Sequence, residues 1–281
     1  MRWFDVVQLL IAAAVIATGF RRPRDRVLAL FSATYAVPVT TETRSLVEEY
    51  VGGSRRFRLT GLTMGIAYAV VDEVRTGTGS DEVYAVALGY GLGAVAYELL
   101  RPTPVGGMAS LDRRHLRDYV SPGLAWLAVG AVLVAVSLFA VALRLGEAPN
   151  QTTDRSESWY LAVGAIVLVA IGVAFATARR IVASPQPLVS TGVDAAQHAI
   201  RSSGLITLMG LVLLGCGWFG GASVTLVNQA GITGRGWFQF LGVVTVMFAG
   251  GPGLFLTFRS LPRFAPFWRD LPDVEPAGAV S

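Results

Sequence analysis

Residues 122–145 read PGLAWLAVGAVLVAVSLFAVALRL, and the only charge among them is Arg144, one position from the end. A helix needs about 20 predominantly apolar residues to cross the roughly 30 Å hydrocarbon core of a bilayer, and this stretch supplies them without interruption. Lipid is its solvent. Six further stretches answer the same description: Trp3 to Phe20, Phe57 to Val71, Val83 to Leu100, Trp159 to Ala178, Gly204 to Val227 and Trp237 to Phe258. The shortest is Phe57 to Val71, where Arg55, Arg56 and Arg58 are expected to reach outward to the headgroups and lengthen the span. Aromatic pairs open three spans (Trp3 and Phe4, Trp159 and Tyr160, Trp237 and Phe238), as an interfacial belt does.

Composition agrees with this reading. Of 281 residues, 53% are hydrophobic and 15% charged, with a mean hydropathy of +0.55; an average soluble domain carries about a quarter charged residues. The expected fold class is therefore an all-α integral membrane protein of about seven transmembrane helices. All 23 basic residues are arginine, a bias that accompanies the Ala, Val and Gly excess of a GC-rich genome, so the expected location is a bacterial cytoplasmic membrane. Without lysine, Schiff-base chemistry is excluded. Two histidines and one cysteine leave little for metal binding, and no Ser/His/Asp arrangement, phosphate-binding glycine loop or HExxH pair is present. No enzyme activity and no cofactor are expected. Cys216, in an apolar run, reads as a small packing residue.

Positive charge collects in cytoplasmic loops. With seven spans and the N-terminus outside, 18 of the 23 arginines fall on the cytoplasmic side, and Arg2, Arg75, Arg144, Arg155 and Arg235 fall outside. Treating Val27 to Thr40 as an eighth span turns the N-terminus inward and shrinks that asymmetry. The expected organisation is a membrane anchor at 1–20, a cytoplasmic interfacial helical segment at 21–56, a six-helix body of three hairpins at 57–258, and a cytoplasmic tail at 259–281. Within 21–56, Val27, Leu28, Leu30, Phe31 and Tyr35 recur at helical spacing, Pro38 interrupts, and Leu46, Val47, Tyr50 and Val51 form a second apolar face that Gly52 and Gly53 are expected to end. Both stretches read as short helices on the membrane surface. Anionic lipid accounts for the arginine-rich side without nucleic acid as a partner.

Two cytoplasmic segments resemble each other, each with an acid, a histidine and an arginine leading into a span: Asp112, His115 and Arg117 before Gly123, and Asp194, His198 and Arg201 before Gly204. Their histidines read as surface groups that could act together only if the loops meet. Small residues four apart (Gly61 and Gly65, Gly89 and Gly93, Gly217 and Gly221) mark helix-packing faces. Glu98 is the acid nearest the hydrocarbon, one turn before Arg101, with which an i,i+3 pair is expected. Gly250, Gly251, Pro252 and Gly253 mark a disruption of the last span, because proline removes a donor and glycine permits unwinding; a kink satisfied by neighbouring helices is the leading reading and a broken helix the alternative. The leading functional expectation is an accessory or structural subunit of a membrane complex, with a second protein or another copy of the chain as partner. The alternative is a small transporter or channel whose path runs past Glu98 and the broken segment at Gly250 to Gly253.

Overall fold

A computed structural model describes residues 25–37, 40–76, 82–101, 115–146, 157–184, 191–229 and 236–258. The expected anchor Trp3 to Phe20, Arg21, Arg22 and Arg24 after it, and the tail 259–281 lie outside these residues. The described elements are helices: α1 (Asp25–Tyr35), α2 (Thr41–Thr76), α3 (Glu82–Leu100), a 3-10 turn (Leu116–Asp118), α4 (Pro122–Gly146), α5 (Glu157–Ala183), α6 (Thr191–Gln229), α7 (Gly236–Thr245), a π turn (Val246–Gly250) and α8 (Gly251–Phe258). Four apolar helices are long enough to cross a membrane: Pro122–Leu145, Tyr160–Ala183, Gly192–Asn228 and Gly236–Thr257; α3 carries a shorter apolar run, Tyr84–Leu100.

The centre of the molecule is α6, whose most apolar window is 89% buried, against 22% for α4. Its sequence explains the position, because glycines occur on every side of it and each admits a neighbour. A Cβ on Gly204 would lie 2.8 Å from a Glu98 carboxylate oxygen of α3, and one on Gly210 would lie 2.8 Å from the Thr257 amide of α8. On Gly215 it would meet Ile171 and Val167 of α5, and on Gly217 it would stand 2.5 Å from the Gly250 Cα. Gly220 receives Thr245 of α7, whereas Gly221 has only the Val246 side chain near it, at 3.9 Å. Where neighbours meet α6 without glycine, large side chains interlock, as Phe139 does with Trp218 and Phe219 at ring separations of 5.9 and 5.0 Å.

Contacts along α6 fix the directions of its neighbours. Tyr119 lies beside His198 and Phe139 beside Phe219, so α4 runs parallel to α6. Ile181 lies level with Arg201 and Gly164 with Phe219, so α5 runs back. The pairs Gly242 with Gly220 and Gly253 with Leu214 give α7 and α8 that same return direction. Successive long helices therefore alternate in direction.

The tightest pairing joins α2 to α3, which descend antiparallel with their glycine faces together. Cβ atoms on Gly61, Gly65 and Gly93 would stand 2.1, 2.4 and 2.2 Å from the carbonyl oxygens of Gly89, Ala85 and Phe57. Backbones this close exchange Cα–H···O contacts that any side chain would abolish.

Several expectations are corrected. Gly52 and Gly53 do not end a helix, because α2 runs on for 36 residues through them. Gly53 instead makes room for the Tyr97 ring, which a Cβ would approach to 2.6 Å. The expected boundary between 56 and 57 consequently falls inside one helix. At its start, Thr40 and Thr43 cap α2 reciprocally: the Thr43 amide donates to the Thr40 hydroxyl at 3.2 Å and the Thr40 amide to the Thr43 hydroxyl at 2.8 Å. The described part of α1, 11 residues, covers only about half the thickness of a hydrocarbon core. Its apolar face is covered by protein, with Leu28, Val37, Val47, Ala196 and Ala199 forming a second small core between α1, α2 and the start of α6.

The second expected hairpin does not close on itself. α4 and α5 meet at Phe139 against Gly164, while each packs along α6. In the last span the kink, and not the broken helix, is what forms, since the chain stays helical from Gly236 to Phe258. A single π turn, closed by the Gly251 amide on the Val246 carbonyl, absorbs the disruption that Pro252 introduces. The two similar histidine-bearing segments also differ in structure: Pro122 keeps the first from being continuous with α4, since the residue before proline avoids the α conformation, whereas the second is simply the opening of α6.

Gly61→Val is expected to force the α2 and α3 backbones apart and to destabilise the fold by about 1–3 kcal/mol or more. Gly130→Ala, where a Cβ meets nothing within 4 Å, is expected to be neutral or stabilising by up to about 1 kcal/mol. Thermal melting of the two variants in one detergent checks the contrast.

Candidate functional site

The chemistry-bearing side chains gather where α2, α3 and α6 meet. Two turns separate Tyr50 from Arg58 on α2, and the same interval separates Tyr90 from Glu98 on α3, so antiparallel packing sets Tyr50 level with Glu98 and Arg58 level with Tyr90. The Tyr50 hydroxyl donates to Glu98 Oε1 at 3.1 Å. Arg58 Nη2 donates to the Thr207 hydroxyl of α6 at 3.2 Å, and its guanidinium carbon stands 5.8 Å from the centroid of the Tyr90 ring. Thr207 passes its own proton to the Ser203 carbonyl at 3.0 Å. Tyr50, Arg58, Tyr90 and Thr207 are all buried, with Arg58 only 3% exposed.

Arg58 therefore does not reach outward to the headgroups as expected; it points into the bundle. A guanidinium is less strongly hydrated than an ammonium and stacks on aromatic faces, and Tyr90 offers it a face at the level where Thr207 offers an acceptor. Glu98 completes the charge balance, and the two charges act on each other and on Tyr50. The direct partner of Glu98 is Tyr50. Arg101 joins the cluster by lying over the Tyr50 ring, 5.3 Å from its centroid. Burial, and next the Glu98 carboxylate, push the Tyr50 phenol well above its ordinary value, so it remains a proton donor to that carboxylate at neutral pH.

A second junction lies at the same end of the bundle. Tyr119 stacks on the His198 ring with centroids 4.8 Å apart, and His198 Nε2 lies 3.1 Å from the Asp118 carbonyl. A carbonyl only accepts, so Nε2 carries the proton. The Ser202 hydroxyl donates to the Tyr119 carbonyl at 2.8 Å. The two histidine-bearing segments thus meet, but His198 is engaged in packing, and His115 contributes its backbone amide to the Asp118 carboxylate at 2.7 Å. Two arginines cap helix ends nearby: Arg201 Nη1 donates to the Ser184 carbonyl beyond α5 at 3.0 Å, and Arg180 Nη1 to the Leu99 carbonyl of α3 at 2.8 Å. Cations at helix C-termini are favourably placed against the macrodipole.

Gly250 and Gly253 face α6 in close backbone contact, with a Cβ on Gly253 only 2.4 Å from the Leu214 amide nitrogen. Gly251 meets nothing within 4 Å on the outer side. An apolar groove of about 380 Å³ lies between α4 and α7, lined by Leu133, Val134, Val141 and Trp237 among others; it holds no group for chemistry beyond the Ser137 hydroxyl. Among the described residues no three His, Cys, Asp or Glu side chains come together as metal ligands.

Sequence reasoning found Glu98 but missed Arg58, Tyr50, Tyr90 and Thr207. A signal existed in the eight-residue intervals, which repeat on α2 and α3, but it becomes meaningful only once the two helices are paired.

Tyr50→Phe is expected to leave a Glu98 oxygen without its donor and to destabilise by about 1–3 kcal/mol. Most of that loss should vanish in a Glu98→Met background, which removes the acceptor, so a double-mutant cycle read by thermal melting should return a coupling of about 0.5–3 kcal/mol. Compared with family models, with curated proteins and with solved structures, the chain matches none of them.

Proposed function

We propose that this chain is a multi-pass protein of a bacterial cytoplasmic membrane, threaded seven times with its N-terminus outside and its C-terminus in the cytoplasm, and that it serves as an accessory or structural subunit of a membrane complex. The exposed apolar side chains support the threading. They begin on α2 at Phe57 and continue to Val74; on α4 they run from Trp126 to Val141, and on α7 and α8 from Trp237 to Phe255. At 1.5 Å per residue, each band is roughly 23–27 Å tall, which suits a bilayer core. α2 thus counts as a span despite its arginine-rich first half. Among the described residues, Arg44, Arg55, Arg56, Arg101, Arg117, Arg179, Arg180 and Arg201 lie toward the end where α2, α4 and α6 begin, as a cytoplasmic face requires.

The observation that carries the functional reading is the solid packing around α6. This 39-residue helix is about 58 Å long, roughly twice a hydrocarbon core, so it extends beyond the apolar belt into the small core shared with α1. The membrane bundle and this helical head are therefore one stiff body. A scaffold needs that property, and close backbone contact at Gly250 and Gly253 leaves little room for passage beside α8. α4, the least covered span, offers the broadest apolar face to a partner.

A second reading, a small transporter, is favoured by one observation: the buried Arg58 and Glu98, because ionisable groups at membrane depth commonly mark transport paths. It requires α8 to part from α6. In a Cys216→Ala background, a Thr257→Cys thiol should then become reactive to a membrane-permeant reagent during turnover, and constant protection would count against it.

For the subunit reading, a photo-crosslinking residue at Leu133 or Val134 is expected to give one discrete adduct with a different membrane protein in native membranes, and one at the α5 position Ile166 a weaker adduct. Lipid adducts alone at all three positions would overturn it.

A further inference from the structure

The end of α3 is built to receive an anionic lipid. We propose that the surface at the C-termini of α3 and α5 binds the headgroup of an anionic phospholipid, with Arg101, Arg179 and Arg180 as its cationic groups and Leu99 and Leu100 as the seat of its acyl chains. The inference rests on the bilayer placement given above.

Arg180 is fixed by its bond to the Leu99 carbonyl at 2.8 Å, yet its side chain is exposed, as is that of Arg179 beside it. Only Nη1 of the Arg180 guanidinium has that bond, and a guanidinium presents five N–H donors in a rigid fork suited to phosphate oxygens. Arg101 is held from the other side of the α3 terminus by the Tyr50 ring, 5.3 Å from its centroid. Held guanidinium groups lose less freedom on binding than free ones. Between them, Leu99 and Leu100 are 36% and 69% exposed, at the end of the apolar run Tyr84–Leu100 of α3. An amphipathic ligand fits this surface: charge above, hydrocarbon below.

The acid on α3 itself does not oppose the ligand. Glu98 is turned inward, its carboxylate between Tyr50 and Gly204 of α6. A free inorganic anion would satisfy the arginines but leave the leucines uncovered, which favours a lipid over phosphate as the occupant. Basic clefts between spans on the cytoplasmic side are suited to such headgroups.

The test uses the full-length protein in phosphatidylcholine nanodiscs with and without phosphatidylglycerol. Anionic lipid should raise the melting temperature and remain bound in native mass spectra in preference to phosphatidylcholine. Arg179→Gln should reduce that preference about fivefold with melting in pure phosphatidylcholine unchanged, Arg101→Gln should reduce it as much while also costing the contact with the Tyr50 ring, and Arg144→Gln at the opposite end should leave it intact. Equal retention of the two lipids would overturn the site, as would variants that bind like the parent, or a shift of equal size from inorganic phosphate. Failure of the protein to enter phosphatidylcholine nanodiscs at all would instead overturn the membrane threading, a separate outcome.

Discussion

The architecture depends on how closely backbones can approach α6. In hydrocarbon, apolar side chains gain little by leaving lipid for protein, so association rests on packing and on the few polar contacts available. Glycine at 204, 210, 215, 217 and 220 removes side chains in turn from different sides of one helix, and each gap is filled by a different element. This arrangement explains why the most buried helix is not the most apolar one. The helices with higher hydropathy, α4 and α5, remain at the periphery with most of their apolar windows uncovered by protein.

The same reasoning accounts for the joint between bundle and head. α2 and α6 both pass through the edge of the apolar belt without interruption, and helices that cross such an edge must change the chemistry of their buried faces from apolar to polar. Tyr50, Arg58, Ser203 and Thr207 occupy that transition, with Glu98 and Tyr90 opposite. Charges buried there need partners, and the aromatic rings provide contact area that tolerates a guanidinium on one side and lipid-like packing on the other. Below the joint, the helical head uses an ordinary small core, and Arg44 of α2 pairs with Asp25 of α1. α1 ends with Ala36 in a left-handed conformation, φ 51°. The Val37 amide returns to the Ser32 carbonyl at 2.9 Å, so the helix closes in a Schellman turn that buries Val37.

Helical class and the four long apolar spans were legible in the sequence because length and apolarity are local properties. The residues 122–145 are the clearest case: Pro122 opens α4 and the apolar run ends with it. Helix ends were less legible where glycine has two meanings. At Gly52 and Gly53 the pair looks like a stop signal, but the structure uses Gly53 for the approach of Tyr97, a residue 44 positions away. Gly250 to Gly253 looked like a disruption for the same reason, and the structure uses Gly250 and Gly253 to bring α8 against α6. Which small residues meet which, and that Arg58 turns inward, depend on pairing that no single segment encodes.

α2 illustrates how far a hydropathy window can mislead on its own. Its average is lowered by Glu48, Glu49, Arg55, Arg56 and Arg58, yet its surface divides sharply: from Phe57 onward it exposes Phe57, Met64, Tyr68, Val71 and Val74, and the described residues before that point expose no large apolar side chain. One helix therefore serves two solvents. The dividing line falls at Arg56 and Phe57, and Arg58, the one charge past it on α2 before Asp72, is the one whose guanidinium is removed from lipid by Tyr90 and Thr207. Inward burial of Arg58 is what allows the first arginine-bearing turn to sit inside the apolar belt, so the charged cluster and the exposed apolar face of α2 are two consequences of one packing choice.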